Sequence, residues 1–314
     1  MKNMEFSLMG SNANGIQAKK ESLMGNINHF KPTVITIQET KLRRLGIFKL
    51  PGYQVFEKVR SGFGGGLMTA VDENLSPVLI STGKKENSEI LVVQVKAEKH
   101  DVRIINAYGP QEDSYNKHEI YEFWQELEEE IVSAIENKCL LVIELDANAK
   151  LGKEHIKNDP NDTTENGKLL LDILGRHNLT VVNTMDICDG TITRERRTKT
   201  RIEKSVLDYI IVCSRMKEYA RRMVIDEKRI HVLTKFASKK DLKKHKVSDH
   251  NVLFCMFSIL LEEVPTSIRR EFFQLKDKES QMKFLEETSN TNELLQVLIQ
   301  NMNFHITQAF SIKI

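Results

Sequence analysis

Short apolar runs rich in β-branched residues, each closed by turn-forming residues, recur along this chain and restrict its fold more than any other feature. Residues 33–37, 66–71, 89–95, 102–108, 140–145, 180–182, 206–212 and 251–257 have the length and composition of strands. Helical spacing is confined to three stretches, near 18–28, 117–136 and 167–177. Many strands with few helices and no regular βαβ alternation predict an α/β (α+β) domain of layered sheets rather than a doubly wound sheet. After Phe257 the character changes. Residues 262–314 are charged and amide-rich, with apolar positions such as Phe284, Leu285, Leu294, Leu295 and Leu298 at helical spacing, and Pro265 marks a linker. The expected organisation is one domain over 1–261 and a helical tail over 262–314, too short for a core of its own.

Charge matters here through its distribution, because the net value is only +2. Acids crowd 126–130, whereas cations dominate 194–204 and again 235–246. A near-neutral molecule with such a field presents a basic face to a polyanion. No apolar stretch approaches the ~18 residues of a membrane span, and residues 1–10 are too weakly apolar for a secretory signal. The expectation is a cytosolic or nuclear protein, not a secreted one, with no membrane partner. Cys139, Cys188, Cys213 and Cys255 are scattered without a C-x-x-C pair, so they read as small buried hydrophobes in a reducing compartment. The G-F-G-G-G cluster at 62–66 lacks the G-K-[ST] ending of a phosphate loop and reads as a turn into a strand. Trp124, Phe123 and Tyr121 fall at core spacing in the 117–136 helix.

The polar residues stand where apolar runs end. Asn12 and Asn14 precede the first helical stretch, Glu39 follows one strand, Tyr108 ends another, and Asp146 and Asn148 follow 140–145. Asp249 and His250 immediately precede the final strand. Strand ends of a layered α/β domain converge on one edge, so these residues are expected to line one cleft. Asp208 interrupts an apolar run, and a buried carboxylate needs a partner; His250 serves if the last two strands are neighbours. Carboxylates and amides without cysteine make an oxygen site suited to magnesium. Phosphodiester cleavage needs a metal at the phosphoryl oxygen, a group that activates water, and donors around the developing charge. Glu39 fits the first requirement, Asp146 the second, and His250, Tyr108 and the asparagines the third.

Taken in order, these motifs resemble those of the endonuclease/exonuclease/phosphatase superfamily. S-N-A-N-G at 11–15 is similar to its opening W-N-x-[DN]-G, Q-E-T at 38–40 to its metal-binding strand end, and A-Y-G-P at 107–110 to its tyrosine turn. D-A-N at 146–148 resembles its D-x-N, Thr191 stands in place of its T-[FW]-x-R segment, V-L-D-Y at 206–209 matches its buried-Asp strand, and S-D-H at 248–250 is similar to its closing signature. The resemblance spans about residues 5–258. It implies a four-layer sandwich of two mainly antiparallel or mixed sheets flanked by helices.

Roles follow from the resemblance. It implies that Glu39 holds magnesium (or manganese), helped by Asn14 and Asp249, and that Asp146 activates water with Asn12 and Asn148 orienting it. It further implies that Asp208 pairs with His250, which contacts the scissile phosphate with Tyr108. N-A-N-G, Q-E-T-K-L, D-A-N-A-K-L-G and S-D-H-N resemble most the endonuclease domains of non-LTR (LINE-type) retrotransposons, which implies nicking of DNA. The 194–204 segment then resembles a DNA-touching hairpin, with Arg194, Arg196, Arg197, Lys199 and Arg201 as its cations. The tail resembles the stretch that joins such a domain to a reverse transcriptase, an implied partner, and a DNA substrate implies the nucleus. Abasic-site repair, RNA trimming, phosphate release from a lipid or inositol, and a decayed copy that only binds stand as alternatives. Two positions depart from the pattern: Ser11 replaces a tryptophan, and Leu145 replaces the glycine before the catalytic aspartate.

Overall fold

The apolar runs become strands of two stacked sheets. The computed structural model describes residues 3–60, 64–85, 87–97, 100–113, 115–235 and 247–262. In chain order the first elements are β1 (Asn3–Asn12), α1 (Lys20–Phe30), β2 (Val34–Gln38), β3 (Tyr53–Lys58), β4 (Leu67–Asp72), β5 (Val78–Ser81), β6 (Ile90–Lys96) and β7 (Asp101–Tyr108). Then come α2 (Lys117–Glu136), β8 (Leu140–Asp146), α3 (Glu165–Arg176), β9 (Leu179–Val181), β10 (Cys188–Asp189), β11 (Arg194–Arg197) and β12 (Ile202–Ser205). The last are β13 (Asp208–Cys213), α4 (Ser214–Lys217), β14 (Ala220–Ile225) and β15 (Leu253–Glu262).

One sheet has seven strands in the order β10-β14-β15-β1-β2-β4-β3, and the other has six in the order β5-β6-β7-β8-β13-β9. Both are mixed: β1 pairs parallel with β2 and antiparallel with β15, and β8 pairs parallel with β7 and antiparallel with β13. This is the expected sandwich of two mixed sheets with flanking helices. β11 and β12 form a separate hairpin.

Position in the layers explains each pattern. β8 is buried at every residue because it lies mid-sheet with apolar layers on both faces. β15 alternates buried and more exposed residues because its outer face meets solvent. One apolar cluster fills the space between the sheets and reaches the inner side of α2 and α3; it includes Phe6, Leu8, Val92, Ile104, Val142, Trp124 and Leu170. A smaller one, with Met9, Ile16, Leu23, Ile35 and Met68, seals α1 onto the first sheet. α2 begins at a capping box in which Asn116 accepts from the Glu119 N–H and Glu119 reaches back to the Asn116 N–H.

β1, β3, β5 and β14 lie outside the apolar runs of the sequence. β1 contains no β-branched residue, and β14 carries Arg221 and Arg222 on an exposed side. Leu145, at the glycine position of the motif it resembles, is fully buried one residue from the end of β8, opposite Tyr209 and Ala107, and is not among the residues with positive φ. Ser11 is 2% exposed and pairs with Ile37. The proposed tail, apart from Glu262, and the cations at 239–246 fall outside the described residues. Among the described residues, no helix is long and apolar enough to cross a membrane.

Candidate active site

Register brings the polar residues together. Tyr108 pairs with Asp146 where β7 and β8 end, and Asp208 pairs with Asp146 where β13 begins. In the other sheet Asn12 pairs with Gln38, and Glu39 follows directly. The two sets face each other across the sandwich. Asn12 Nδ2 donates to Asp146 Oδ2 (2.8 Å) and to Glu39 Oε1 (3.0 Å), so one amide ties the two carboxylates together. Tyr108 donates its hydroxyl to Glu39 Oε1 at 2.9 Å.

The turns that carry these groups are laced by backbone. The N–H groups of Ala13, Gly15 and Ile16 donate to the carbonyls of Gln38, Glu39 and Thr40. Asn14 and Glu39 both have positive φ (45° each), a conformation with a steric cost that this lacing holds in place. Asn148, also at positive φ, caps the Asp146 carboxylate with its N–H and donates its side chain to the Gly109 carbonyl.

His250 and Asp208 meet across the two sheets, not as neighbouring strands of one sheet. His250 enters β15 of the seven-stranded sheet, whereas Asp208 opens β13 of the six-stranded one. His250 Nδ1 lies 2.9 and 3.0 Å from the two Asp208 oxygens and 3.8 Å from Asp146 Oδ2. That contact makes Nδ1 the donor to Asp208 and leaves Nε2 for the cleft. Asp146, Asp208 and His250 place one ligand atom each within 4.8 Å of one another, which is metal-site spacing. Because His250 Nδ1 faces Asp208, the trio is better described as an acid–base group in which one imidazolium offsets one of two carboxylates.

The electrostatics differ by position. Burial works against ionisation of Glu39, but donors from Asn12, Lys41 and Tyr108 outweigh it and hold its carboxyl below the usual range. Burial pushes Asp146 up to about 7, with Asp208 adding to the rise and the His250 cation and Asn12 opposing it. Burial disfavours the His250 cation, yet Asp208 and Asp146 more than compensate and raise it to about 9. A carboxylate poised near neutrality beside a retained imidazolium is the arrangement of a general base with a cationic donor.

Lys41 flanks Glu39 and Asn14. Its ammonium sits 2.9 Å from Glu39 Oε2 and 2.6 Å from Asn14 Oδ1. A cation thus already stands between the two residues expected to hold magnesium, and their all-oxygen donor set fits that ion.

The remaining expected residues divide. Asp249 lines the same cleft, but its Oδ2 accepts from Arg194 Nε at 2.8 Å and Nη2 at 2.7 Å, and this pairing holds it to the hairpin. Thr191 is not brought to the cluster: its N–H donates to Glu227. Thr193, two residues on and fully buried, accepts from the N–H groups of Leu207 and Asp208 and so supports the aspartate. The β11–β12 hairpin grows from the histidine loop, because Glu195 N–H donates to the Asp249 carbonyl and Asn251 N–H to the Thr193 carbonyl. Arg196, Arg197, Lys199 and Arg201 are exposed on it. Arg201 pairs with Glu203 at 2.8 Å, whereas Arg196 and Lys199 have no ion pair among the described residues. A cleft of about 590 Å³ joins Asn14, Glu39, Asn148 and His250 to Arg194 and Arg196.

Three residues of this assembly lay outside the expected set. Ser248 donates to the Asn12 carbonyl (2.7 Å) and accepts from the His250 N–H, and it stands inside the S-D-H motif. Lys41 directly follows Q-E-T. Thr193 had no signal beyond standing two residues after Thr191.

Solved structures share this architecture. The endonuclease domain of TRAS1, a telomere-specific non-LTR retrotransposon, aligns at TM-score 0.59 and 17% identity over 80% of this chain and 98% of that one. An AP endonuclease from Archaeoglobus fulgidus aligns at 0.58 and 18% identity over 80% and 99%. An endonuclease/exonuclease/phosphatase family protein from Leptotrichia buccalis aligns at 0.55 and 14% identity over 82% and 99%. No family model matches the chain, and no curated protein does. The chain therefore has the endonuclease/exonuclease/phosphatase fold.

Proposed function

We propose that this chain is a magnesium-dependent endonuclease that nicks DNA in the manner of retrotransposon endonucleases. The observation that carries the reading is the single cleft in which Glu39, Asn14 and His250 adjoin the base of an arginine-rich hairpin. Glu39 and Asn14 would hold the metal, whose bound charge supplies stabilisation at the phosphoryl oxygen. Asp146, oriented by Asn12, accepts the proton of the attacking water as its oxygen bonds to phosphorus. His250, kept cationic by Asp208, donates to a phosphoryl oxygen as charge builds there and the bond to the leaving sugar oxygen breaks. Tyr108 and Asn148 hold the carboxylates in register. The hairpin cations contact backbone phosphates, which supplies affinity without sequence choice.

The likeness to the TRAS1 domain supports a parent polyprotein with a reverse transcriptase, and a DNA substrate supports a nuclear location that microscopy of the tagged chain would check. The test is conversion of supercoiled plasmid to open circle with magnesium or with EDTA, beside Asp146→Ala and His250→Ala. Nicking that needs metal and vanishes in both variants is the expected result. Cleavage confined to an abasic duplex, to RNA or to small phosphomonoesters would replace the substrate, and no cleavage of any of these by folded protein would leave a binding module.

A further inference from the structure

Beneath the cleft, between the sheets, lies a buried polar seam that the proposed chemistry does not use. Gln38, Asn106 and Glu144 are each 0% exposed. Their hydrogen bonds fix one another's orientation. Asn106 Nδ2 donates to the Met68 carbonyl at 2.9 Å, and a carbonyl can only accept, so Asn106 turns its Oδ1 the other way. That oxygen accepts from Gln38 Nε2 at 2.8 Å, which fixes the Gln38 amide in turn. The same Nε2 then donates its second hydrogen to Glu144 Oε2. Two oxygens are left buried without a partner, Gln38 Oε1 and Glu144 Oε1. Each is an acceptor; the Thr36 hydroxyl also lies against the Glu144 carboxyl, and one proton on that carboxyl gives the two oxygens a shared donor. The space is built for this side chain: a Cβ on Gly10 would stand 2.5 Å from the Glu144 carboxyl.

We propose that Glu144 is a positioning residue of the cleft, present as the neutral acid and joined to the Gln38 amide by two hydrogen bonds. The pair acts through Gln38, whose carbonyl holds the Ala13 N–H and whose next residue is Glu39 at φ 45°. Both expected metal-holding turns, at Asn14 and Glu39, therefore adjoin Gln38, whose side chain is bonded, among the described residues, to those of Asn106 and Glu144. Burial, with the Asp208 and Asp146 charges adding to it, favours the neutral form, while Gln38 and Thr36 oppose the shift. The part of the inference that concerns metal rests on the magnesium reading above; the acid–amide pair does not.

An amide at position 144 reproduces both hydrogen bonds, since its NH₂ donates to Gln38 Oε1 and its carbonyl accepts from Gln38 Nε2. Glu144→Gln is therefore expected to fold with unchanged thermal stability and to bind magnesium within about twofold of wild type by calorimetry. Glu144→Val, which leaves Gln38 unpaired, is expected to weaken magnesium by at least about tenfold, as loss of a supporting partner does. Carboxyl ¹³C NMR of the wild-type chain, with Glu144 assigned by its absence from Glu144→Gln, is expected to show a protonated carboxyl at neutral pH. An ionised resonance, or a Glu144→Gln chain that fails to fold, overturns the pair. A protonated resonance with equal magnesium affinity in all three proteins overturns the positioning role. A protonated resonance with no magnesium binding even by wild type leaves the pair standing and overturns the metal reading instead.

Discussion

Replacing Asp208 with asparagine isolates the charge that keeps His250 protonated. Asn can still accept from Nδ1, so the geometry at 2.9 Å has a substitute, and the N–H bonds to Thr193 are untouched. What disappears is the leading favourable charge behind the rise of His250 from 6.5 to about 9. At 1.36 kcal/mol per pH unit that rise corresponds to about 3 kcal/mol of preference for the cation, and burial of the ring leaves little solvent to screen it. Without Asp208 the histidine falls back toward its ordinary 6.5, because burial, the largest influence and one that disfavours the cation, then faces only Asp146 and Asp249. At pH 8 the cationic fraction drops from about nine-tenths to about 3%, so turnover falls by about 30-fold. At pH 6 both proteins are largely cationic there, and the loss from this source stays under about twofold. Plasmid nicking at the two pH values, beside an imidazole NMR titration of His250, reads the effect. A loss of equal size at pH 6 and pH 8, or a His250 titration unmoved by the substitution, would refute the reasoning.

Wild-type nicking is expected to rise through about pH 7, as Asp146 gives up the proton that prevents it from acting as a base, and to fall through about pH 9 as His250 loses its own. A rate flat between pH 6 and pH 8 would remove Asp146 from that role. Lys41→Met takes away the ammonium that shares Glu39 and Asn14, so magnesium should bind more tightly, by about two- to fivefold given how exposed the lysine is. Weaker binding by calorimetry would mean instead that the lysine holds those ligands in place. Arg196→Gln with Lys199→Gln should lower the slope of log affinity for duplex DNA against log salt by about 2, at roughly 0.9 per phosphate contact. An unchanged slope in a fluorescence anisotropy titration would take the hairpin out of the DNA interface.

What could be read beforehand was the set of strand ends, because an apolar run that stops at Glu, Tyr or Asp advertises its own edge. Tyr108 and Asp146 were visible for that reason, Asp208 as a carboxylate inside an apolar run, and the structure puts all three at the same end of one sheet. Pairing across the sandwich was not visible. His250 was offered as partner to Asp208 on the condition that the last two strands are neighbours; the pairing holds although β13 and β15 join different sheets, and hydrophobic pattern carries no record of which sheet a strand joins. Thr191 stands apart from the cluster, whereas Thr193, two residues on, accepts from the Asp208 N–H, and motif spacing alone does not choose between residues two apart in an irregular segment. Glu144 is a plainer lesson. The argument that singled out Asp208, a carboxylate inside an apolar run, applies equally to Glu144 within 140–145.

Three contacts of the candidate site span the gap between the two sheets. Asn12 reaches Asp146, Tyr108 reaches Glu39, and His250 reaches Asp208, with the first sheet supplying Asn12, Glu39 and His250 and the second supplying the others. Neither sheet holds a working set alone. Stacked sheets lie about 10 Å apart, a spacing set by the side chains packed between them, whereas hydrogen bonds weaken over a few tenths of an ångström. The apolar layer of Phe6, Leu8, Val92, Ile104 and Val142 therefore acts as the spacer of the site as well as the core of the fold. A change there that lets one sheet slide by even half an ångström lengthens all three contacts together, while most of the buried area that stabilises the domain survives. Activity is thus more sensitive than stability to the packing between the sheets. The buried seam of Gln38, Asn106 and Glu144, which crosses the same gap just below the cleft, is placed where it resists that slide.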